Sequence, residues 1–153
     1  MVVPEGSVSS DHPSALLFEE RYTCIAWSQN KSVKSPLLID DYLAASHVVT
    51  AFDSERMLAF DEAHLQQHGY QRNKVAILPS FNQLPFLVIG TNNIATIQER
   101  LARLFAKNMA LKMIPPAIEF PLLRENIQWH RNREHDPANI WMREFFIEIA
   151  STL

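Results

Sequence analysis

An α/β domain, with a mostly parallel sheet covered by helices, is predicted by three observations on this 153-residue sequence. Short apolar runs alternate with segments of helical spacing, the joints between them are short, and Gly69 and Gly90 stand just beyond two of the helical segments.

The elements follow in order. Strands are read at 15–18 and 21–27, where aromatic and β-branched residues cluster ahead of the polar loop 28–35. After Pro36 a short helix is expected at 39–45, with Asp40 and Asp41 in a first turn whose dipole favours carboxylates. A buried strand at 47–51 and a helix at 57–68, closed by Gly69, come next, and 74–78 is another apolar strand. Pro79-Ser80 leads into a helix ending at Ile89; Pro85 must fall in its first turn, which moves the N-cap toward Asn82. Thr96-Ile97-Gln98-Glu99 fits a capping box, with Leu101, Leu104 and Phe105 as the buried face of the helix it opens. Leu111 to Ile114 is a strand stopped by Pro115-Pro116, and 127–129 belongs to another. Asp136 caps a last helix in which Pro137 takes the first turn and Trp141, Phe145 and Ile149 recur at helical spacing.

Composition narrows the function. With 47% hydrophobic and 20% charged residues the chain has an ordinary globular balance, sufficient for one compact domain or two small lobes. A formal net charge of −3 provides no basic field for nucleic acid. The first six residues lack the basic and apolar regions of a secretory signal, and no apolar stretch approaches the ~18 residues of a membrane span. A cytoplasmic protein without membrane contact is expected. Cys24, the single cysteine, sits in an apolar run and reads as a buried, inert thiol.

The motifs of the commoner chemistries are missing. Gly6, Gly69 and Gly90 are the only glycines, so neither a G-x-G-x-x-G turn nor a phosphate loop can be drawn, and no G-x-S-x-G elbow occurs. His64 and His68 have metal-ligand spacing, but Leu65 stands where the general-base glutamate of H-E-x-x-H would be. His130 and His135 flank a charge-balanced loop with no cysteine or second acidic cluster near. The reading is therefore of no enzyme, metal or cofactor. Two features remain. His47 opens an apolar strand directly after a helix, where it is either structural or a contact in a cleft. Phe81, Leu84 and Phe86 around a helix start are either core residues or a ring-binding wall beside free backbone N–H groups, suited to an aromatic carrying a carboxylate or phenolic oxygen.

Several segments together resemble the effector-binding domain of LysR-type transcriptional regulators, in the branch of nodulation and aromatic-catabolism regulators. They are Phe18-Glu19-Glu20-Arg21-Tyr22-Thr23-Cys24, Asp40-Asp41-Tyr42-Leu43 with Ser46-His47-Val48-Val49, and Pro79-Ser80-Phe81. Gly90-Thr91-Asn92-Asn93-Ile94-Ala95-Thr96, Glu99-Arg100-Leu101-Ala102, Gln128-Trp129-His130-Arg131 and Asp136-Pro137-Ala138-Asn139-Ile140-Trp141-Met142-Arg143 complete the set.

The resemblance implies a type 2 periplasmic-binding-protein-like fold of two Rossmann-like lobes, the first incomplete. Lobe one would be 1–26 with 129–153, and lobe two 27–128, with the family's N-terminal helix-turn-helix absent. It implies an inducer held between the lobes, a dimer or tetramer, and promoter DNA bound only through the absent N-terminal part. His47 matches a cleft histidine that contacts effector in aromatic-sensing relatives. Pro85-Phe86 matches a contact that is histidine in some relatives, and Gln128 falls near a ligand-binding arginine of others. These departures set a larger phenolic, such as a flavonoid, level with a salicylate-like acid. Ser80, Phe81 and Leu84 accompany them, and Thr96 at a capped helix start and Trp129 beside the hinge are added on geometry. A solute-binding protein of a transport system, and a truncated remnant without independent function, are the alternatives.

Overall fold

The computed structural model describes residues 1–52 and 57–152. In chain order its strands are β1 (Val2–Pro4), β2 (Ser14–Glu20), β3 (Tyr22–Trp27), β4 (Ser46–Phe52), β5 (Met57–Leu58), β6 (Asn73–Leu78), β7 (Ile94–Gln98), β8 (Leu111–Ile114) and β9 (Leu123–Gln128). The α-helices are α1 (Ile39–Ala44), α2 (Phe60–Gln67), α3 (Leu84–Val88), α4 (Glu99–Ala106) and α5 (Pro137–Ala150).

The chain forms two compact units, Arg21–Pro121 and Met1–Glu20 with Leu122–Leu153. It changes unit earlier than 26 and 128, the sequence-based boundaries, because 22–27 pairs with β7 and β8 while Leu123–Gln128 pairs with β1 and β2.

The Arg21–Pro121 unit carries a sheet of order β5-β4-β7-β3-β8, with β6 also paired to β4. Only β4 runs parallel to its neighbours β6 and β7; β3 runs antiparallel to β7 and β8, and β5 antiparallel to β4. The sheet is thus mixed, not mostly parallel. Helices do separate β4, β6 and β7 along the chain, but β3 follows β2 directly, so no helical crossover constrains its direction. The central strands β3 and β7 are buried on both faces, which divide by the period of two. Cys24, Ala26 and Ile94 pack with Tyr42 of α1 and Leu65 of α2, whereas Ile25, Ala95 and Ile97 pack with Leu84 and Val88 of α3 and Ala102 of α4. Strands covered on both sides read as continuous apolar runs, which is how β3 and β7 appear in the sequence.

In the other unit β9 lies between β1 and β2, antiparallel to both, and Ile127 faces Val2 on one side and Ala15 on the other. Asp136 caps α5 as expected, accepting from the backbone N–H groups of Ala138 (3.0 Å) and Asn139 (3.2 Å).

Three helix starts differ from the sequence reading. Residues 57–58 pair with β4 as β5, so α2 begins only at Phe60. Ser80, not Asn82, is the capping residue: its hydroxyl accepts from Asn82 N–H at 3.3 Å and opens a 3-10 turn, Phe81–Gln83, ahead of α3, whose first turn does hold Pro85. Thr96 caps nothing. It lies inside β7 opposite Cys24, and the Glu99 N–H that a capping box would satisfy donates instead to the Arg21 carbonyl at 2.7 Å, so α4 starts at Glu99. Leu104, expected on the buried face of that helix, is exposed.

Candidate functional site

In the Arg21–Pro121 unit a short helix and the strand after it bring Tyr42 and His47 together. Their rings meet edge to face with centroids 4.6 Å apart, and His47 Nε2–H donates to the Tyr42 carbonyl at 2.6 Å. The Tyr42 hydroxyl lies 2.8 Å from Thr96 Oγ1 and accepts from Arg72 Nη1 at 3.3 Å. Arg72 Nη1 also donates to Thr96 Oγ1 at 3.5 Å, and toward α2 Arg72 gives Nε–H to Glu62 Oε2 at 2.9 Å and Nη2–H to Asp61 Oδ2 at 2.7 Å. Lys74 Nζ donates to the second Glu62 oxygen at 2.9 Å. Tyr42, His47, Asp61, Glu62, Arg72 and Thr96 are all buried, so the network holds its charges in pairs, as a low-dielectric interior requires.

Burial sets the proton affinities here. Desolvation lowers the His47 pKa to about 4 and pushes the Cys24 thiol up to about 12, leaving a neutral imidazole and an un-ionised thiol at neutral pH. Desolvation also raises Asp61 above the usual carboxylate range, against the pull of Arg72. Two buried atoms of this region lack partners, His47 Nδ1 and Asp61 Oδ1. With Nε2 carrying the proton, Nδ1 is a neutral acceptor, able to take a hydrogen bond from a hydroxyl. A polar cavity of about 490 Å³, lined by Glu62, Gln66, Tyr70, Arg72 and Lys74, opens beside the network.

The remaining residues singled out from the sequence fall into different surroundings. Ser80 and Phe81 follow the carboxyl end of β6, where Phe81 meets Phe52 at 6.0 Å between ring centroids. Leu84 is wholly buried in the core beneath α3, and Phe86 on the same helix is 70% exposed. Thr96 and His47 are linked through Tyr42.

Gln128 and Trp129 belong to the other unit. The Gln128 amide is committed to the loop between β1 and β2: Nε2 donates to the carbonyls of Ser9 (2.8 Å) and His12 (3.2 Å), and Oε1 accepts from Ser9 N–H at 3.2 Å. Trp129 Nε1–H donates to Glu134 Oε2 at 2.7 Å, and the Arg143 guanidinium lies 4.1 Å above its ring centroid.

Sequence reading missed Tyr42, Asp61, Glu62 and Arg72. Glu62 and Arg72 stand ten positions apart, across a helix end and a turn, and an acidic pair in a first helical turn reads locally as a solvated helix start.

No family model matches the chain. It aligns over its whole length, at 35% identity, with nodulation protein D 3 of Rhizobium leguminosarum bv. phaseoli, and covers 51% of that protein. At 37% identity 99% of it aligns with nodulation protein D 1 of Sinorhizobium fredii, covering 47%. The chain is a homologue of the LysR-type regulators. It spans about half the length of these LysR-type relatives. Its fold is that of the LysR regulatory domains, the type 2 periplasmic-binding-protein-like class. The regulatory domain of MexT, a transcriptional activator in Pseudomonas aeruginosa, superposes with a TM-score of 0.78 at 23% identity, over 97% of this chain and 70% of that one. The effector-binding domain of QuiR, solved in complex with shikimate, superposes with a TM-score of 0.72 at 11% identity, over 99% of this chain and 71% of that one. Among the described residues of this LysR homologue no helix is long and apolar enough to cross a membrane.

Proposed function

We propose that this chain is the effector-binding part of a cytoplasmic LysR-type transcription regulator, sensing a small aromatic or phenolic molecule and performing no catalytic step. The observation that carries the reading is that this chain aligns over nearly all its length with about half of each nodulation D protein. The Arg21–Pro121 unit corresponds to lobe two and the other to part of lobe one. In this reading promoter DNA is bound through the regulator's helix-turn-helix segment.

The proposed effector contacts are His47, Ser80, Phe81, Leu84, Phe86, Thr96, Gln128 and Trp129. Of these, His47 offers an unpartnered buried Nδ1 to a phenolic hydroxyl, and Phe81 and Phe86 offer ring surface. Effector shifts the regulator between states by its differential affinity for them, and by no more than that. Copies of the chain associate through the apolar side of α5.

Calorimetric titration with a flavonoid and with salicylate tests the reading. One of the two binds saturably, and Phe81→Ala and His47→Ala each weaken it about tenfold, a loss of roughly 1.4 kcal/mol, while circular dichroism shows the fold retained. Unchanged affinity in a folded His47→Ala chain takes that residue out of the site.

A further inference from the structure

The unit formed by Met1–Glu20 and Leu122–Leu153 contains a cavity of about 350 Å³ whose walls include His12, Ile127, Trp129, Asn139, Met142 and Arg143. Three of these residues end in buried polar atoms without a hydrogen-bond partner: His12 Nδ1, Asn139 Oδ1 and Arg143 Nη1. Buried polar groups are nearly always paired, so three orphaned atoms around one cavity mark a place where a polar partner belongs. A single water takes roughly 30 Å³ in the liquid, far less than this space.

The groups are fixed rather than loose. Arg143 stacks on Trp129 at 4.1 Å and donates from Nη2 to the Glu134 carbonyl at 2.9 Å, while its buried Nη1 has no partner. Trp129 is itself tied to the Glu134 carboxylate at 2.7 Å, so that acid is already engaged. Among the described residues no ion pair neutralises Arg143. His12 is held through its carbonyl by Gln128 at 3.2 Å and lies ring to ring with His130, 4.6 Å between centroids. Asn139 is anchored in the first turn of α5 by its backbone N–H on Asp136.

Each orphan states a requirement. Arg143 Nη1 is a cationic donor that matches a carboxylate. Asn139 Oδ1 is an acceptor that needs a hydroxyl or amine proton, and His12 Nδ1 can serve the same hydroxyl as donor or acceptor. Ile127, Met142 and the Trp129 ring provide apolar surface for a carbon frame between them. We propose that this cavity is a binding site for a small hydroxylated carboxylic acid, separate from the residues of the Arg21–Pro121 unit. It shares Trp129 with the effector contacts proposed above, so its test rests on His12, Asn139 and Arg143, which are not among them.

The probe is 4-hydroxybenzoate, compared with benzoate, titrated into the 153-residue chain by calorimetry. Saturable one-to-one binding is expected, tighter for the hydroxylated acid. Arg143→Met removes the cation and weakens both acids at least tenfold. Asn139→Asp places a carboxylate beside Arg143 and excludes both. His12→Ala weakens 4-hydroxybenzoate more than benzoate, and Lys107→Ala, an exposed change in the other unit, leaves the affinity unchanged. Should Arg143→Met fail to fold, the unaltered chain still decides, because the His12 ring and Asn139 side-chain amide signals must shift in the nitrogen-15 NMR spectrum as 4-hydroxybenzoate is added. The proposal is overturned by the absence of binding and of those shifts. It is equally overturned if Phe81→Ala abolishes binding while folded Arg143→Met retains it, which assigns the acid to the other unit and leaves the effector reading standing.

Discussion

At His47 two hydrogen-bonding requirements conflict. The ring is wholly buried, and Nε2–H is spent on the Tyr42 carbonyl, so protonating Nδ1 would place a charge in the core beside Arg72 with no acceptor for the new N–H. Desolvation accordingly lowers its pKa from 6.5 to about 4. The sign follows from proton counting. Between these values the unfolded chain binds the proton and the folded chain does not, so this histidine's share of stability is complete above pH 6.5 and is lost as pH falls toward 4. The full difference corresponds to roughly 3 kcal/mol at about 1.4 kcal/mol per pKa unit. Urea denaturation of the native chain and of His47→Gln, from pH 4 to 7, isolates it by subtraction, which also cancels the buried Asp61 that both chains retain. The native stability is expected to climb with pH more steeply than the variant's, and parallel profiles would show that His47 titrates normally.

At the scale of the element, Gly90 closes α3 with φ +77° and Gly69 follows α2 with φ +73°, conformations in which an L side chain is strained. A Cβ built on Gly90 meets nothing within 4 Å, so Gly90→Ala costs backbone strain alone, about 1 kcal/mol. The urea midpoint should drop with the slope unchanged, and an unaltered midpoint would contradict the left-handed conformation. Both glycines were legible in the sequence because a helix stop is a local signal, as was the start of α5 at Asp136-Pro137. Strands β4 and β8 were legible because burial makes them short apolar runs between turn residues, and β6 was legible as an apolar run although Val75 and Ile77 are exposed. Thr96 was not, because T-x-x-E carries the same letters whether the threonine caps a helix or lies in a central strand, and its neighbours Cys24 and Tyr42 arrive from distant chain segments. Strand direction escaped for a related reason: alternation of strands and helices describes connections, and β3 is entered without one. Of the candidate site, His47 and Thr96 were named, but the buried Arg72 with Asp61 and Glu62 that organises their surroundings depends on contacts no local spacing encodes.

At the scale of the whole molecule, α5 does not behave as a helix of a finished surface. None of its fourteen residues is buried, and Trp141 is 65% exposed, with Phe145, Phe146, Ile147 and Ile149 also open. Trp141 and Phe145 stack at 5.4 Å between centroids, forming a flat aromatic face rather than scattered apolar residues. Monomeric proteins rarely leave a contiguous apolar face of this kind in water, and a second copy offers the same face in return, which is the geometry of a two-fold interface. The chain should therefore associate reversibly in sedimentation velocity at micromolar concentrations. Trp141→Glu and Phe145→Glu each place charges that would have to be desolvated in the contact, and should weaken association at least tenfold, or about 1.4 kcal/mol. Glu144→Lys, an exposed change on the same helix, should leave it within twofold. A chain that sediments as a monomer throughout would remove α5 as a contact between copies, and association that survives both aromatic substitutions would move the interface elsewhere on the molecule.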